Sequence, residues 1–323
     1  MSSENIIEES QSFIQLPSLA ENANDKQMCD CNHEKGEFGP LCPDAPRPPD
    51  LPSDLSLAIP SDLSIALPPK IVFIVPYRDR IQQQKFFSEH MKFILEDFQP
   101  SDYKIYYVHQ CDSREFNRGA MKNIGFLAIK EKYPNDYENI TLVFNDIDTM
   151  PYTKNFLNYE TTEKTVKHFY GYTYALGGIV SIKGADFEKS YGFPNFWAWG
   201  YEDNMLQKRV LRNNINIDRS QFYPIMDKNI FQMKDGLTRL VNRSEFDRFI
   251  NDTTEGWQSI KLLEYEIDEE TGFINVNNFY TGVAENPQQN QIHDLRNGSK
   301  PFNLITMPFS GAKRVRAKMG MMM

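Results

Sequence analysis

Ile140-Thr141-Leu142-Val143-Phe144-Asn145-Asp146-Ile147-Asp148 is an apolar run that ends on an acidic triplet. The residues up to Phe144 carry no charge and are mostly β-branched or aromatic, so they read as a strand buried on both faces. In open α/β sheets, ligands sit beyond the carboxyl ends of the strands. The run therefore delivers Asp146 and Asp148 to the place where a site is expected. Taken alone, an Asp-x-Asp triplet also suits a solvated turn, because Asp and Asn favour turns. The flanking segments decide between the two.

Toward the N-terminus, Ile71-Val72-Phe73-Ile74-Val75 is a second continuous apolar run. A helical pattern follows from Ile81 to Phe98, then a strand from Lys104 to His109 and a helix from Asn117 to Tyr133. The β-α-β-α-β order predicts a parallel sheet with right-handed crossovers. Toward the C-terminus, Gly177-Gly178 reads as a tight loop entering a strand. Beyond it lies Asn195-Phe196-Trp197-Ala198-Trp199-Gly200-Tyr201-Glu202-Asp203. Asp203 sits where a helix should open and run to about Asn213. Ser259–Ile267 and Phe273–Phe279 read as a hairpin around Glu270-Thr271-Gly272. The fold class is α/β: a Rossmann-like, mostly parallel sheet flanked by helices, spanning residues 70–282.

Residues 1–69 are polar, rich in proline and without periodicity. They include the tandem near-repeat Pro52-Ser53-Asp54-Leu55-Ser56-Leu57-Ala58-Ile59 and Pro60-Ser61-Asp62-Leu63-Ser64-Ile65-Ala66-Leu67. This composition reads as a disordered linker. Residues 283–323 read as a loosely attached polar tail. The chain of 323 residues is 40% hydrophobic and 13% aromatic, enough for a large core, and its net charge is −9. That charge argues against nucleic-acid binding, which needs Lys and Arg to neutralise phosphates. No apolar stretch approaches the roughly 20 residues of a membrane helix. Met1–Gln11 has no basic region, so no signal peptide is read, and the chain reads as soluble and cytoplasmic. Cys29, Cys31 and Cys42 with His33 fit no common zinc spacing. Cys111 reads as a small packed hydrophobe.

Five segments together resemble the β-1,4-galactosyltransferases. They are Val75-Pro76-Tyr77-Arg78-Asp79-Arg80, Phe116-Asn117-Arg118-Gly119-Ala120, Phe144-Asn145-Asp146-Ile147-Asp148, Leu176-Gly177-Gly178, and Phe193-Pro194 followed by the segment from Asn195 to Asp203. They occur in the family's order. The resemblance implies a GT-A fold, a UDP-sugar donor, Mn2+ or Mg2+, a carbohydrate acceptor and inversion at the anomeric carbon. It implies that Pro76, Tyr77, Arg78, Arg80, Phe116 and Arg118 line the uridine-diphosphate site, with Asp146, Ile147, Gly178 and Trp199 on the nucleotide sugar. Asp148 would ligate the metal, Glu202 would hold the sugar, and Asp203 would be the base.

The residue chemistry is compatible with these roles. Carboxylates suit hard divalent ions, and guanidinium forks suit phosphate. A helix N-terminus favours the ionised carboxylate that a base requires, although Asp there can also be a simple cap. The chain departs from the family in four places. The nearest match to its third metal-binding stretch is Ile230-Phe231-Gln232-Met233, with no His, and a thioether is a poor ligand for Mn2+. Ala175 stands where galactose-using members carry Tyr, which leaves room for a larger donor sugar. Tyr201 and Asn204 differ at positions that face the acceptor. These departures motivate the alternative of a non-catalytic carbohydrate- or nucleotide-binding protein. A sugar-1-phosphate nucleotidyltransferase ranks lower, because Pro76-Tyr77-Arg78-Asp79-Arg80 contains no glycine for a phosphate loop.

Overall fold

The computed structural model describes residues 67–233, 236–250 and 254–296. Residues 1–66 and 297–323 lie outside the described residues. With them lie most of the expected linker, its cysteines and His33, and the end of the expected tail. In chain order the elements are β1 (Ile71–Tyr77), α1 (Ile81–Ile94), β2 (Tyr103–Gln110), α2 (Arg118–Lys132), β3 (Thr141–Asn145), β4 (Thr149–Pro151), β5 (Thr165–Gly171) and β6 (Ile179–Lys183). They continue with α3 (Gly184–Lys189), α4 (Glu202–Arg212), β7 (Asn216–Asp218), β8 (Tyr223–Pro224), β9 (Ile230–Gln232), β10 (Thr238–Asn242), α5 (Arg243–Ile250), β11 (Lys261–Asp268), β12 (Phe273–Tyr280) and β13 (Asn290–Asp294).

The principal sheet runs β11-β12-β2-β1-β3-β6-β5-β7. β1 lies between β2 and β3, parallel to both, with Ile74 level with Tyr106 and Phe144. Every residue of β1 and β3 is buried, as their unbroken apolar sequences require. The sheet is mixed beyond that point. β6 pairs antiparallel with β3 and with β5, while β12 joins β2 in parallel and β11 returns antiparallel. The expected hairpin is thus the edge of the same sheet.

α2 lies directly on the sheet. A Cβ on Gly125 would stand 2.5 Å from Ile74 Cγ2, so only glycine allows this approach. Its first turn is capped by Asn117, whose side chain accepts from Ala120 N at 2.9 Å. A Cβ on Gly119 would meet Pro194 O at 2.1 Å, so the segment that leads to the two tryptophans rests against this turn.

Three expectations differ in detail. α1 ends at Ile94 instead of Phe98, and the chain turns before Gln99-Pro100, where proline disfavours a preceding helical residue. Cys111 is exposed, because it follows the last residue of β2 and points away from the core. Residues 290–294, read as tail, form β13, which pairs antiparallel with β10 from Thr238↔Asp294 to Asn242↔Asn290.

Candidate active site

The carboxyl ends of β1 and β3, with the start of α2, enclose a cleft of about 410 Å3 lined by Pro76, Arg78, Asp79, Arg80, Glu115, Phe116, Arg118, Asp146, Ile147 and Asp148. Eight of the residues singled out in the sequence lie here together. Arg78 is held in place by donating from Nη1 to the Arg114 carbonyl. Tyr77 is not in the lining. Its ring is buried beneath the cleft, edge-on to His109 and Phe273 at 5.1 and 5.2 Å. The reason is the alternation along β1, which turns Tyr77 to the face opposite Arg78. Gly178 lies behind the acidic turn. Its carbonyl accepts from Asp146 N at 2.9 Å, and its φ of 72° is a left-handed conformation that glycine adopts without strain.

The two tryptophans have different environments. Trp197 is buried, stacked on Phe279 at 5.7 Å, with its Nε1 donating to Val283 O at 3.0 Å. Trp199 is half-buried and its backbone N donates to Leu240 O at 2.8 Å. The Arg239 guanidinium lies over its ring at 5.8 Å.

Glu202 and Asp203 open α4, one residue after Tyr201, whose φ is 75°. They converge on the first turn of α2. Arg118 Nη2 donates to Asp203 Oδ2 at 2.7 Å, and its Nε lies 3.0 Å from Glu202 Oε1. Its Nη1 reaches Asp146 Oδ2 at 3.4 Å. Lys122, one turn further along α2 and 1% exposed, donates to Asp203 Oδ1 at 3.0 Å. Its ammonium is 3.9 Å from Asp146 Oδ1 and 4.4 Å over the Phe193 ring. Three carboxylates, the part-buried Arg118 and the buried Lys122 therefore form one network between the cleft and α4.

This network sets the charge states. Burial alone would raise the Asp203 carboxyl, but Lys122 and Arg118 outweigh it and hold the group below its ordinary value. Burial raises Glu202, with Arg118 opposing. Burial and the neighbouring Asp146 push Asp148 up to about 6, against Arg118 and Arg80. Burial would lower Arg118, but Asp146, Asp203 and Glu202 keep it firmly protonated. Among the described residues, Asp146 Oδ1 and Glu202 Oε2 are buried without a hydrogen-bond partner, and each such oxygen favours an incoming donor or cation.

The oxygen chemistry fits a hard divalent ion. Asp146 is close enough to Asp148 to raise its proton affinity, and Asp146 Oδ1 is buried without a hydrogen-bond partner. Met233 N donates to Asp148 O at 2.8 Å, so the Gln232-Met233 segment lies beside the acidic turn. Among the described residues no cluster of three His, Cys, Asp or Glu side chains forms a complete ligand set.

Lys122 and Arg239 were not singled out in the sequence. Lys122 is four residues after Arg118, a spacing that puts both on one face of a helix, and that was the available signal. Arg239 comes from a distant strand, where no local pattern points to the cleft. It lies near enough to Asp148 and Asp146 for their charges to act on it.

Comparison with known proteins bears on the family and the fold. Residues 62–160 match the N-terminal region of glycosyl transferase group 7, and residues 159–234 match the N-terminal domain of galactosyltransferase. The chain is 32% identical to human β-1,4-galactosyltransferase 4 over 162 residues, 46% of this chain and 45% of that protein. It is 28% identical to the xylosylprotein 4-β-galactosyltransferase of Caenorhabditis elegans over 172 residues, 50% of this chain and 57% of that protein. The chain thus spans about half the length of the curated relatives it matches. The catalytic domain of Drosophila β1,4-galactosyltransferase 7 in complex with xylobiose superposes with a TM-score of 0.52, at 20% identity, over 68% of this chain and 97% of that one. A mutant of that enzyme, in complex with manganese, UDP-Gal and xylobiose, also superposes with a TM-score of 0.52. The fold is therefore GT-A.

Proposed function

The chain belongs to the glycosyl transferase group 7 family, whose two matched segments together span residues 62–234, and on that premise we propose that it is an inverting, metal-dependent glycosyltransferase. It transfers a hexose or N-acetylhexosamine from a UDP-sugar to a hydroxyl of a glycan or glycoconjugate. The observation that carries this reading is the shared use of Arg118. One guanidinium joins Asp146, in the lining of the cleft, to Glu202 and Asp203 at the start of α4.

In this reading Arg78, Arg80, Arg118 and Arg239 meet the diphosphate, for which planar guanidinium groups are well suited. Pro76, Phe116 and Ile147 bound the nucleotide. Tyr77 supports that wall from beneath and Gly178 fixes the turn that carries Asp146. Trp199 covers the donor sugar, and the unpartnered Glu202 Oε2 accepts from one of its hydroxyls. Asp148, with Asp146 beside it, would hold a divalent ion, Mn2+ or Mg2+, which when bound would offset the charge that builds on the leaving diphosphate.

Asp203 takes the proton of the acceptor hydroxyl as that oxygen attacks the anomeric carbon from the face opposite UDP. Its depressed proton affinity keeps it ionised and lowers the driving force for taking the proton. The hydrogen bonds from Arg118 and Lys122 orient both oxygens and leave lone pairs for the hydroxyl. The stacked rings of Tyr172 and Tyr174, 5.1 Å apart and partly exposed, offer an apolar face to an acceptor sugar. Asn204 Nδ2 donates to Tyr174 O at 3.0 Å and joins that face to α4. No observation of the site favours the binding-only alternative.

The deciding experiment is UDP release from a panel of UDP-sugars, with and without Mn2+, in the presence of monosaccharide and xyloside acceptors. Acceptor-stimulated, Mn2+-dependent release supports the reading. No release with any donor at millimolar Mn2+ rejects it.

A further inference from the structure

His168 is 1% exposed and takes no part in the chemistry above. It lies on β5, next to the loop that carries Gly177 and Gly178. β7 pairs with β5 in parallel up to Lys167↔Asp218, so the next pair in register is His168 with Arg219. Arg219 Nε donates to His168 Nδ1 at 3.2 Å. A guanidinium can only donate, so Nδ1 carries no proton and the ring proton sits on Nε2. Nε2 in turn donates to Tyr170 O at 3.1 Å and Gly177 O at 3.2 Å. Burial, then the Arg219 charge, lowers the imidazole to about 4, so this tautomer persists throughout the neutral range.

Arg219 also reaches the other side of the loop. Its Nη2 donates to Thr173 O and to Gln207 Oε1, both at 2.8 Å. Gln207 is on α4, one turn after Asp203. The loop end at Gly177 touches Asp203 itself: a Cβ on Gly177 would lie 2.4 Å from Asp203 Oδ2, and Leu176 N donates to Asp203 O at 3.0 Å. A chain of direct contacts therefore runs from Arg219 through His168 to Gly177 and Asp203. A second branch runs from Arg219 to α4.

We propose that His168 and Arg219 form a brace that positions Asp203, by fixing the Tyr172–Gly178 loop against the first turns of α4. This inference rests on the glycosyltransferase reading for its catalytic consequence. Its structural consequence stands independently. Neither residue lines the cleft, so both are assigned as positioning residues. The brace has a directional requirement: a donor toward Gly177 O and an acceptor toward Arg219. A glutamine can supply both, whereas a phenylalanine fills the volume and supplies neither.

The test compares His168→Gln, His168→Phe and Arg219→Met in the full chain, by hydrogen exchange over a peptide covering 172–178 and by steady-state kinetics with a UDP-sugar. His168→Phe should raise exchange in that peptide more than in β1 and β3, and lower kcat by ~10–100-fold with donor KM changed less than about threefold. His168→Gln should return both readouts most of the way to wild type. Arg219→Met should resemble His168→Phe. The proposal is overturned if His168→Phe leaves the loop and kcat unchanged. It is equally overturned if exchange rises uniformly along the chain, or if His168→Gln is no better than His168→Phe. Should the wild-type chain turn over no UDP-sugar, the functional reading fails and the exchange measurements alone judge the brace.

Discussion

Gly177 and Asp203 are in closest approach: a Cβ on Gly177 would lie 2.4 Å from Asp203 Oδ2 and 2.9 Å from its Cγ. Gly177 does not adopt a left-handed φ, unlike Gly178 at 72°. Its requirement for glycine comes from the carboxylate and not from the backbone. A single methyl group added there must push Asp203 away from Arg118.

Gly177→Ala should therefore fold while losing transfer by on the order of 10²-fold, the size expected when a catalytic group shifts by about 1 Å. Gly178→Ala provides the contrast, since a Cβ there would meet Tyr170 O at 2.4 Å on a strained backbone. It should lower the melting temperature as well. Circular dichroism melts and initial rates on both variants check the distinction. Equal rates for Gly177→Ala and wild type would show that the contact has no bearing on chemistry.

Asp203→Asn should lower transfer by roughly 10²–10⁴-fold, the usual contribution of a general base. The amide keeps an oxygen for Lys122 or Arg118, so the fold should survive, and UDP titration by calorimetry should change little. An unfolded variant, or intact transfer, would make Asp203 a structural cap.

Asp148→Ala should abolish Mn2+-dependent turnover. In the parent protein, Mn2+ affinity should rise with pH through about 6, where Asp148 loses its proton. The sign for stability follows. A carboxyl raised from 3.8 to about 6 in the folded state contributes stability that is present below 3.8 and lost as pH rises through 6. Mn2+ reverses that loss, so the Mn2+-induced increase in melting temperature should be larger at pH 7.5 than at pH 5. A pH-independent increase argues against Asp148 as a ligand.

Lys122→Met should move the acidic limb of the kcat/KM profile to higher pH. Lys122 is foremost among the groups that hold Asp203 below its ordinary value, so removing its charge raises Asp203. The methionine fills much of the buried space beside Phe193. An unmoved acidic limb would mean that Asp203 is not the group seen in the profile.

Ala175 is 8% exposed and lies two residues before Gly177. UDP-GalNAc or UDP-GlcNAc should be used at least as well as UDP-Gal, because the resemblance puts a Tyr of galactose-using members here and the smaller Ala would leave room for a 2-acetamido group. Ala175→Tyr should shift the preference back toward UDP-Gal. Strict use of UDP-Gal by the parent chain in a side-by-side assay rejects the idea.

Much of the site was legible because it follows strand ends. Asp146 and Asp148 close an unbroken apolar strand, and Arg78 follows another, so both sets reach the same edge once the sheet is parallel. Glu202 and Asp203 were legible as the opening of a helix. Illegible were the residues whose role depends on a partner far along the chain. Lys122 reads as an ordinary helix lysine until Asp203, 81 residues later, is brought to it. Arg239, on β10, and Arg219, just after β7, are placed by short strands whose pairing no local pattern announces. Trp197 and Trp199 have the same sequence context, yet one is core and the other half-buried.

By itself the sequence determined the alternation of strands and helices, the parallel pairing of β1, β2 and β3, and the delivery of acidic and basic side chains to one sheet edge. Hydrophobic periodicity and chain connectivity act locally, so they can be read along the chain. Tertiary structure alone decided the antiparallel insertion of β6, the pairing of β10 with β13, and above all the charge states of the network. Proton affinity depends on burial and on charges within a few ångströms. Asp148 at about 6 and Asp203 below its ordinary value are the same residue type in one chain. They differ because burial and the neighbouring Asp146 prevail at Asp148, whereas at Asp203 the charges of Lys122 and Arg118 outweigh burial.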